Sequence, residues 1–414
     1  MAVQDNPEDG LRPSHPGSTP AERGFGLAGQ VAPLFAAYLA FGAFWGVWVV
    51  VFADFLQARG MSEGAAGLYL SALAAVSILT MTLLAPRLHR LALSRTVPLG
   101  LGSMGLAALG IAFGPGPGGL AGAFVFLGVG NGLIDVFVNV GGQGAEARHG
   151  RPVLQFLHAS YNAGGIVGAL GAAAMHVAGL SFRWQLTVTA GVLFAAAIWN
   201  VASRRLPDRA VSTAPDEERP MVSLSVFLRS PMLILPAVVV LSAFMVEGSM
   251  DIWSVIYLRR SLEATVVAGA LAFAAFSLAM AVGRMLAGRL LFGLGYRTTM
   301  RVSGAGSVAS GLIAALTHSA TVAGVAFLFL GLFIASAAPA AFGVIGETDE
   351  DPVLAVAGLT TAGYSGFVVG PPIMGWLAET AGLRATMLVV VVAAVGVGAG
   401  GLGRRPRPAV PPSR

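Results

Sequence analysis

The 414-residue chain is 56% hydrophobic and only 11% charged, where soluble domains carry about one quarter charged residues. All 25 basic residues are arginine and cysteine is absent, which removes P-loop and Schiff-base lysines, thiol nucleophiles, disulfides and iron–sulfur ligation. The six histidines lack zinc spacing, and the net charge of +5 comes from arginines scattered at the ends of apolar segments. No enzyme activity, cofactor, metal or nucleic-acid partner is therefore expected.

Residues 1–29 are rich in Pro, Gly and acids without a signal-peptide layout, and read as a disordered tail. A helix needs about 20 apolar residues to cross the hydrocarbon core. Candidates follow at 31–55, 64–85, 96–114, 118–142, 154–180 and 184–202, then at 230–258, 265–288, 299–317, 320–346, 354–377 and 385–402. The stretch 204–229 holds five arginines and four acids and reads as a cytoplasmic linker between a 30–203 bundle and a 230–403 bundle, with 404–414 as a second tail. With the amino terminus inside, cytoplasmic segments carry 19 arginines and the outer loops five (Arg59, Arg183, Arg259, Arg260 and Arg384), which fixes both termini inside. The acidic run Glu347, Asp349, Glu350 and Asp351 reads as a solvated inner loop.

The two halves repeat. Leu84, Ala85, Arg87, Leu88, Arg95 and Thr96 recur 202 residues later as Leu286, Ala287, Arg289, Leu290, Arg297 and Thr298. Gly164 and Gly168 in the fifth span recur at the same offset as Gly366 and Gly370 in the eleventh. Duplicated membrane bundles place a solute site where the halves meet. Glycines four apart allow close helix packing, and Pro371 and Pro372 are expected to bend the eleventh span. Gly366, Gly370 and Pro371 are thus gating candidates beside a plain packing role.

These features resemble the major facilitator superfamily, whose two six-helix bundles carry arginine-rich loops after the second and eighth helices. The resemblance covers about residues 30–403 and implies an all-α membrane protein of twelve transmembrane helices in two pseudo-symmetric bundles. Three stretches are similar to the fucose-permease-like subgroup of bacterial inner-membrane permeases. They are Gly128–Gly168 with Asp135, Asn139 and His158; Glu247-Gly248-Ser249 with Asp251, Trp253 and Gly283-Arg284; and Gly363-Tyr364-Ser365-Gly366 through Gly370-Pro371-Pro372. Two departures stand out. Pro86 and Gly288 occupy the places of the usual loop aspartate, so the latch it makes must be weaker or differently built. Fucose-type symporters also carry an acid in the middle of the first helix, where this chain offers Trp45 and Trp48, with Asp54 near the outer end.

An acid well inside an apolar run costs several kcal/mol unless it faces a cavity or partner. Asp135 is the leading candidate, with Asn131 and Asn139 at i−4 and i+4 forming one polar stripe. His158, Tyr161 and Asn162 are expected to gather on one side of the fifth helix and could bind hydroxyls or relay protons. Glu247 and Asp251 lie one turn apart on the seventh helix and would form a second proton or cation site, though Asp251 lies near enough to the outer boundary for water to solvate it. Arg284 is a gating candidate whose preferred reading is snorkelling to headgroups. Trp45 could stack on a solute, whereas Trp48 and Trp253 read as interfacial anchors, and His176 as interfacial.

The sequence thus predicts a monomeric, multi-pass inner-membrane permease that moves a small polar solute, such as a sugar, by alternating access with protons. A proton-driven efflux antiporter for amphipathic compounds is the rival, and a non-transporting membrane sensor a weaker one.

Overall fold

The structure is a computed structural model, described here for residues 27–203, 231–348 and 351–403. Residues 1–26 of the tail expected at 1–29, the linker expected at 204–229 and the tail expected at 404–414 lie outside the described residues, as do Asp349 and Glu350. Among the described residues twelve helical spans follow one another. The first six are α1 (Leu27–Arg59), α2 (Glu63–Leu88), α3 (Leu93–Phe113), α4 (Gly116–His149), α5 (Leu154–Val177) and α6 (Phe182–Ala202). The second six are α7 (Ile234–Ser261), α8 (Val266–Leu294), α9 (Tyr296–Leu316), α10 (Ala320–Glu347), α11 (Pro352–Ala381) and α12 (Leu383–Ala399).

Ten of these are long and apolar enough to cross a bilayer. The other two, α5 and α9, have the length, 24 and 21 residues, but dilute their apolar surface with Ser, Thr, Asn and Gly. Helix α1 starts at Leu27, inside the stretch read as a tail, and α4 continues to His149, well past its apolar run. Short polar caps set the starts. Ser62 accepts from Ala65 N at 3.2 Å, Thr265 from Ala268 N at 3.1 Å, and Ser319 from Val322 N at 3.4 Å. Gly150, at φ 62°, closes α4 in the left-handed conformation.

The packing repeats between halves. In the first, α1 lies on α5, α3 on α6, and α4 on both α2 and α3; in the second, α7 lies on α11, α9 on α12, and α10 on both α8 and α9. The equivalent glycines do equivalent work. A Cβ on Gly164 would stand 2.1 Å from the Leu39 carbonyl oxygen, and one on Gly366 would stand 2.4 Å from that of Leu241. No side chain fits at either place, so α5 meets α1, and α11 meets α7, backbone to backbone. Helix α11 runs on as helix through Pro371 and Pro372.

Two spans depart from a plain α-helix. In α2, Thr80–Leu84 forms a π-helical turn; in α10, Ala335 and Ser336 interrupt the helix, and the Ser336 and Ser303 hydroxyls bond at 2.8 Å. The acidic run is more than a solvated loop, because Glu347 pairs with Arg297, a residue of the repeated motif, at 2.7 Å. That pair ties α10 to the start of α9 and supplies a latch where Gly288 replaces the expected aspartate.

Both described chain ends lie on one face, here the terminal face. At the opposite face the halves are fastened together. Arg259 of α7 donates to Asp54 of α1 at 2.7 Å, and Arg260 bonds Glu63 and, at 3.2 Å, the Ala53 carbonyl. The Ser62 hydroxyl donates to Glu379 of α11 at 3.3 Å. Beneath these polar ties, Gly67 of α2 abuts Gly375 and the Pro371 carbonyl, and Phe52 meets Trp253 edge-on with ring centroids 5.7 Å apart.

Candidate functional site

Between the halves lies a cavity of about 220 Å³. Its walls come from α1, α2, α4 and α5 on one side and α7, α8 and α11 on the other. Asp135, Asn131, His158 and Tyr161 line it from the first half; Glu247, Asp251, Arg284 and Tyr364 line it from the second. Trp45, Phe41, Phe244 and Phe367 add aromatic walls.

Asp135 sits at the middle of this arrangement. Its Oδ1 accepts from the Tyr38 hydroxyl at 3.1 Å and from the Asn139 amide at 3.2 Å, and its Oδ2 accepts from the Tyr364 hydroxyl. The same Asn139 amide reaches the Tyr38 oxygen at 2.7 Å and the Asp135 carbonyl at 2.7 Å. Every one of these donors is neutral. Tyr38 and Asn139 belong to the first half, and Tyr364 belongs to the second. Asn131, one turn away, lines the cavity and donates to Ser77 of α2 at 3.3 Å. The polar stripe on α4 therefore splits its work, with Asn139 bracing the acid and Asn131 bracing α2.

The second cluster is ionic. Arg284 Nη2 donates to both oxygens of Glu247, at 2.7 and 2.9 Å, in the charge-assisted geometry that makes such pairs strong. Snorkelling is thus corrected: Arg284 turns into the cavity, because a carboxylate on the facing helix outcompetes distant headgroups. Asp251, expected at a wet boundary, lines the same cavity one turn from Glu247. Among the described residues no hydrogen bond or ion pair is formed by its carboxylate. Three carboxylates thus share the chamber with one guanidinium.

The aromatic expectations divide. Trp45 lines the cavity, but Trp48 and Trp253 are corrected from interfacial anchors to fully buried core residues, each 0% exposed. Trp48 packs among Phe52, Phe55 and Phe124, and both indole Nε1 atoms are buried without an acceptor among the described residues. His158 lines the cavity with its ring 5.6 Å from that of Tyr38, and Tyr161 stands beside Tyr38 and Phe41. Asn162 is corrected away from them. It is buried, its Nδ2 lacks a partner among the described residues, and it is not part of the lining, since adjacent helical residues point about 100° apart. His176 stays near the outer end of α5, with its Nδ1 3.6 Å from Asp54.

Of the gating candidates, Pro371 reaches the cavity rim and its carbonyl meets Gly67. Gly366 serves the α7–α11 contact, and Gly370 faces Met245 at ordinary contact distance. Sequence reasoning overlooked Tyr38 and passed over Tyr364 as a motif letter. A signal existed: the chain has six tyrosines, and Tyr38, Tyr161 and Tyr364 all line the cavity. Among the described residues, no three of His, Asp and Glu gather as a metal site.

Comparison with known proteins extends this picture. A family model described as Major Facilitator Superfamily matches residues 153–348. An uncharacterized MFS-type transporter of Yersinia pestis is 29% identical over 285 residues, 67% of this chain and 72% of that protein. Membrane protein MosC of Rhizobium meliloti is 30% identical over 282 residues, 66% of this chain and 65% of that protein. Among solved structures, the nucleoside transporter NupG superposes with a TM-score of 0.69 at 11% identity, covering 90% of this chain and 97% of its own. A bacterial homolog of the human lysosomal transporter Spinster, inward-facing and unoccupied, gives 0.70 at 14% identity, covering 94% and 98%. The E. coli fucose:proton symporter FucP gives 0.56 at 13%, covering 90% and 97%. Duplicated bundles, a cavity between them, the match over residues 153–348 and the full-length likeness in fold agree in making this chain similar to the major facilitator superfamily.

Proposed function

We propose that the protein is a proton-coupled carrier of a small polar solute, working by alternating access in the bacterial inner membrane with its terminal face in the cytoplasm. One observation carries this reading. Asp135 stands on a helix long and apolar enough to cross a bilayer, on the wall of the cavity between the halves, held among the described residues by hydroxyl and amide donors and by no cation. A charged carboxylate so placed is expensive unless it exchanges its charge for a proton, and its position beside the solute chamber couples that exchange to loading. Arginines concentrated on the terminal face support the orientation. The ties among Asp54, Arg259, Arg260 and Glu63 close the other face, so the chamber belongs to an inward-facing carrier.

Hydroxyl and amide groups set among aromatic faces suit a ring with several hydroxyls. FucP is named a fucose symporter and NupG a nucleoside transporter, so hexoses, polyols and nucleosides form the first panel for a thermal-shift screen. A solute that stabilises the purified protein then goes into proteoliposomes under an imposed pH gradient. Accumulation should follow the gradient in the wild type and stop following it in Asp135→Asn. Unchanged pH dependence in that variant would sink the proposal. Export of cationic amphipathic compounds is the second reading, favoured by the excess of carboxylates over guanidinium; it reverses the sign of the proton movement.

A further inference from the structure

We propose that Tyr364 is the latch through which the charge of Asp135 is felt by the opposite half, so that proton release and inward opening are one event. The inference deepens the proton reading above and rests on it. Its basis is the distribution of the three donors on Asp135. Tyr38 and Asn139 lie in the same half as the acid and move with it, whereas Tyr364 is the donor from the other half and is bonded to the oxygen that those two leave free.

A carboxylate only accepts hydrogen bonds, and bonds to a charged acceptor are roughly twice as strong as neutral ones. When Oδ2 takes a proton it becomes a donor, and the Tyr364 hydroxyl must turn its own hydrogen away into the cavity. The bond across the halves then falls from charge-assisted to neutral. Such a loss changes the ratio of the two conformers by about fivefold to thirtyfold. The sign follows from the geometry. This conformer, fastened at the opposite face, is the one that holds the charged carboxylate with all three donors. High pH favours it, and lowering the pH releases α11 from α4. A proton carried in on Asp135 is therefore surrendered when Tyr364 arrives.

Other charged and titratable groups border the same chamber. Tyr161 and His158 face it from α5, Glu247 and Asp251 from α7, and Arg284 from α8. Glu247 is neutralised by Arg284. His158 touches Tyr38, not the bond across the halves. Tyr364 itself leans on Phe244 and Phe367 of its own half, with ring centroids 5.9 and 6.4 Å away, which fixes its ring when the hydroxyl is removed.

The absence of cysteine makes the test direct. Leu83 on α2 and Val356 on α11 lie toward the terminal face, 51% and 45% exposed, and a Leu83→Cys/Val356→Cys pair accepts spin labels in the full chain in nanodiscs. Distances are read between about pH 5 and about pH 8, with no solute added. The cysteine pair alone should shift toward the longer distance as pH rises. With Tyr364→Phe added, the shift should vanish or shrink by about fivefold or more in population ratio. Asp135→Asn should hold the short-distance distribution at every pH. A full shift retained in Tyr364→Phe, with Asp135→Asn unresponsive, would overturn the latch alone. No pH response in the parent pair, or an undiminished one in Asp135→Asn, would overturn the proton reading and the latch with it.

Discussion

At the scale of the residue, the pair Glu247–Arg284 is the most exposed to single changes. Glu247→Gln leaves Arg284 in the chamber without its carboxylate, and breaking such a pair costs about 3–5 kcal/mol when fully buried. Here Arg284 is 32% exposed, so the loss belongs at the lower end of that range and should appear as a clear drop in melting temperature. Replacing both partners by Gln should recover most of the loss; a double variant as unstable as the single one would show that the pair is not what Arg284 depends on. How far this chemistry was legible in the chain differs from residue to residue. Asp135 and its neighbours Asn131 and Asn139 could be read from one helix, since spacing of four residues puts them on one stripe. Tyr38 and Tyr364 could not, because each reaches Asp135 from another helix and no periodicity within a span encodes that meeting. Trp48 and Trp253 misled for a related reason: indoles are common at membrane interfaces, and a one-dimensional pattern does not separate a ring at the interface from one in the core.

Among the elements, the spans themselves were legible because hydropathy over some twenty residues survives any detail of packing. Their ends were not. Helix α4 runs to His149, where Gly150 closes the end and Glu146 accepts from the Val153 and Leu154 N–H groups, and α10 breaks at Ala335 and Ser336 just ahead of Pro339, which has no N–H to give the Ala335 carbonyl. Repeated glycines were readable as contacts because lipid offers helices no hydrophobic drive to associate, leaving close van der Waals packing. That argument yields a contrast within α5. A Cβ at Gly164 meets the Leu39 carbonyl, whereas at Gly171 there is nothing within 4 Å. Gly164→Ala should therefore push α1 and α5 apart, lowering the melting temperature and the yield of monodisperse protein. Gly171→Ala should behave as wild type or slightly better, since alanine is the stronger helix former. Equal tolerance at both positions would contradict the backbone-to-backbone contact.

For the whole molecule, the duplication legible in the repeated arginine motif becomes two bundles joined at one face and holding a shared chamber. What the sequence left open was which groups bridge the halves. Arg259 and Arg260 counted only as outer-loop charge, yet with Asp54 and Glu63 they are the fastening of that face. A carrier built this way has to break those ties and the Tyr364 contact together when it turns to the other side, and the carboxylate of Asp135 is the group whose charge can time that step. The most direct measurement is proton movement evoked by solute. Lightly buffered proteoliposomes, with no imposed gradient, receive a solute that the thermal-shift screen has found to bind, and the external pH is followed. The account expects the medium to turn alkaline as solute and protons enter together, and expects that signal to be lost in Asp135→Asn while the solute still binds. Solute entry without any pH change, or the same alkalinisation in the Asn variant, would contradict it.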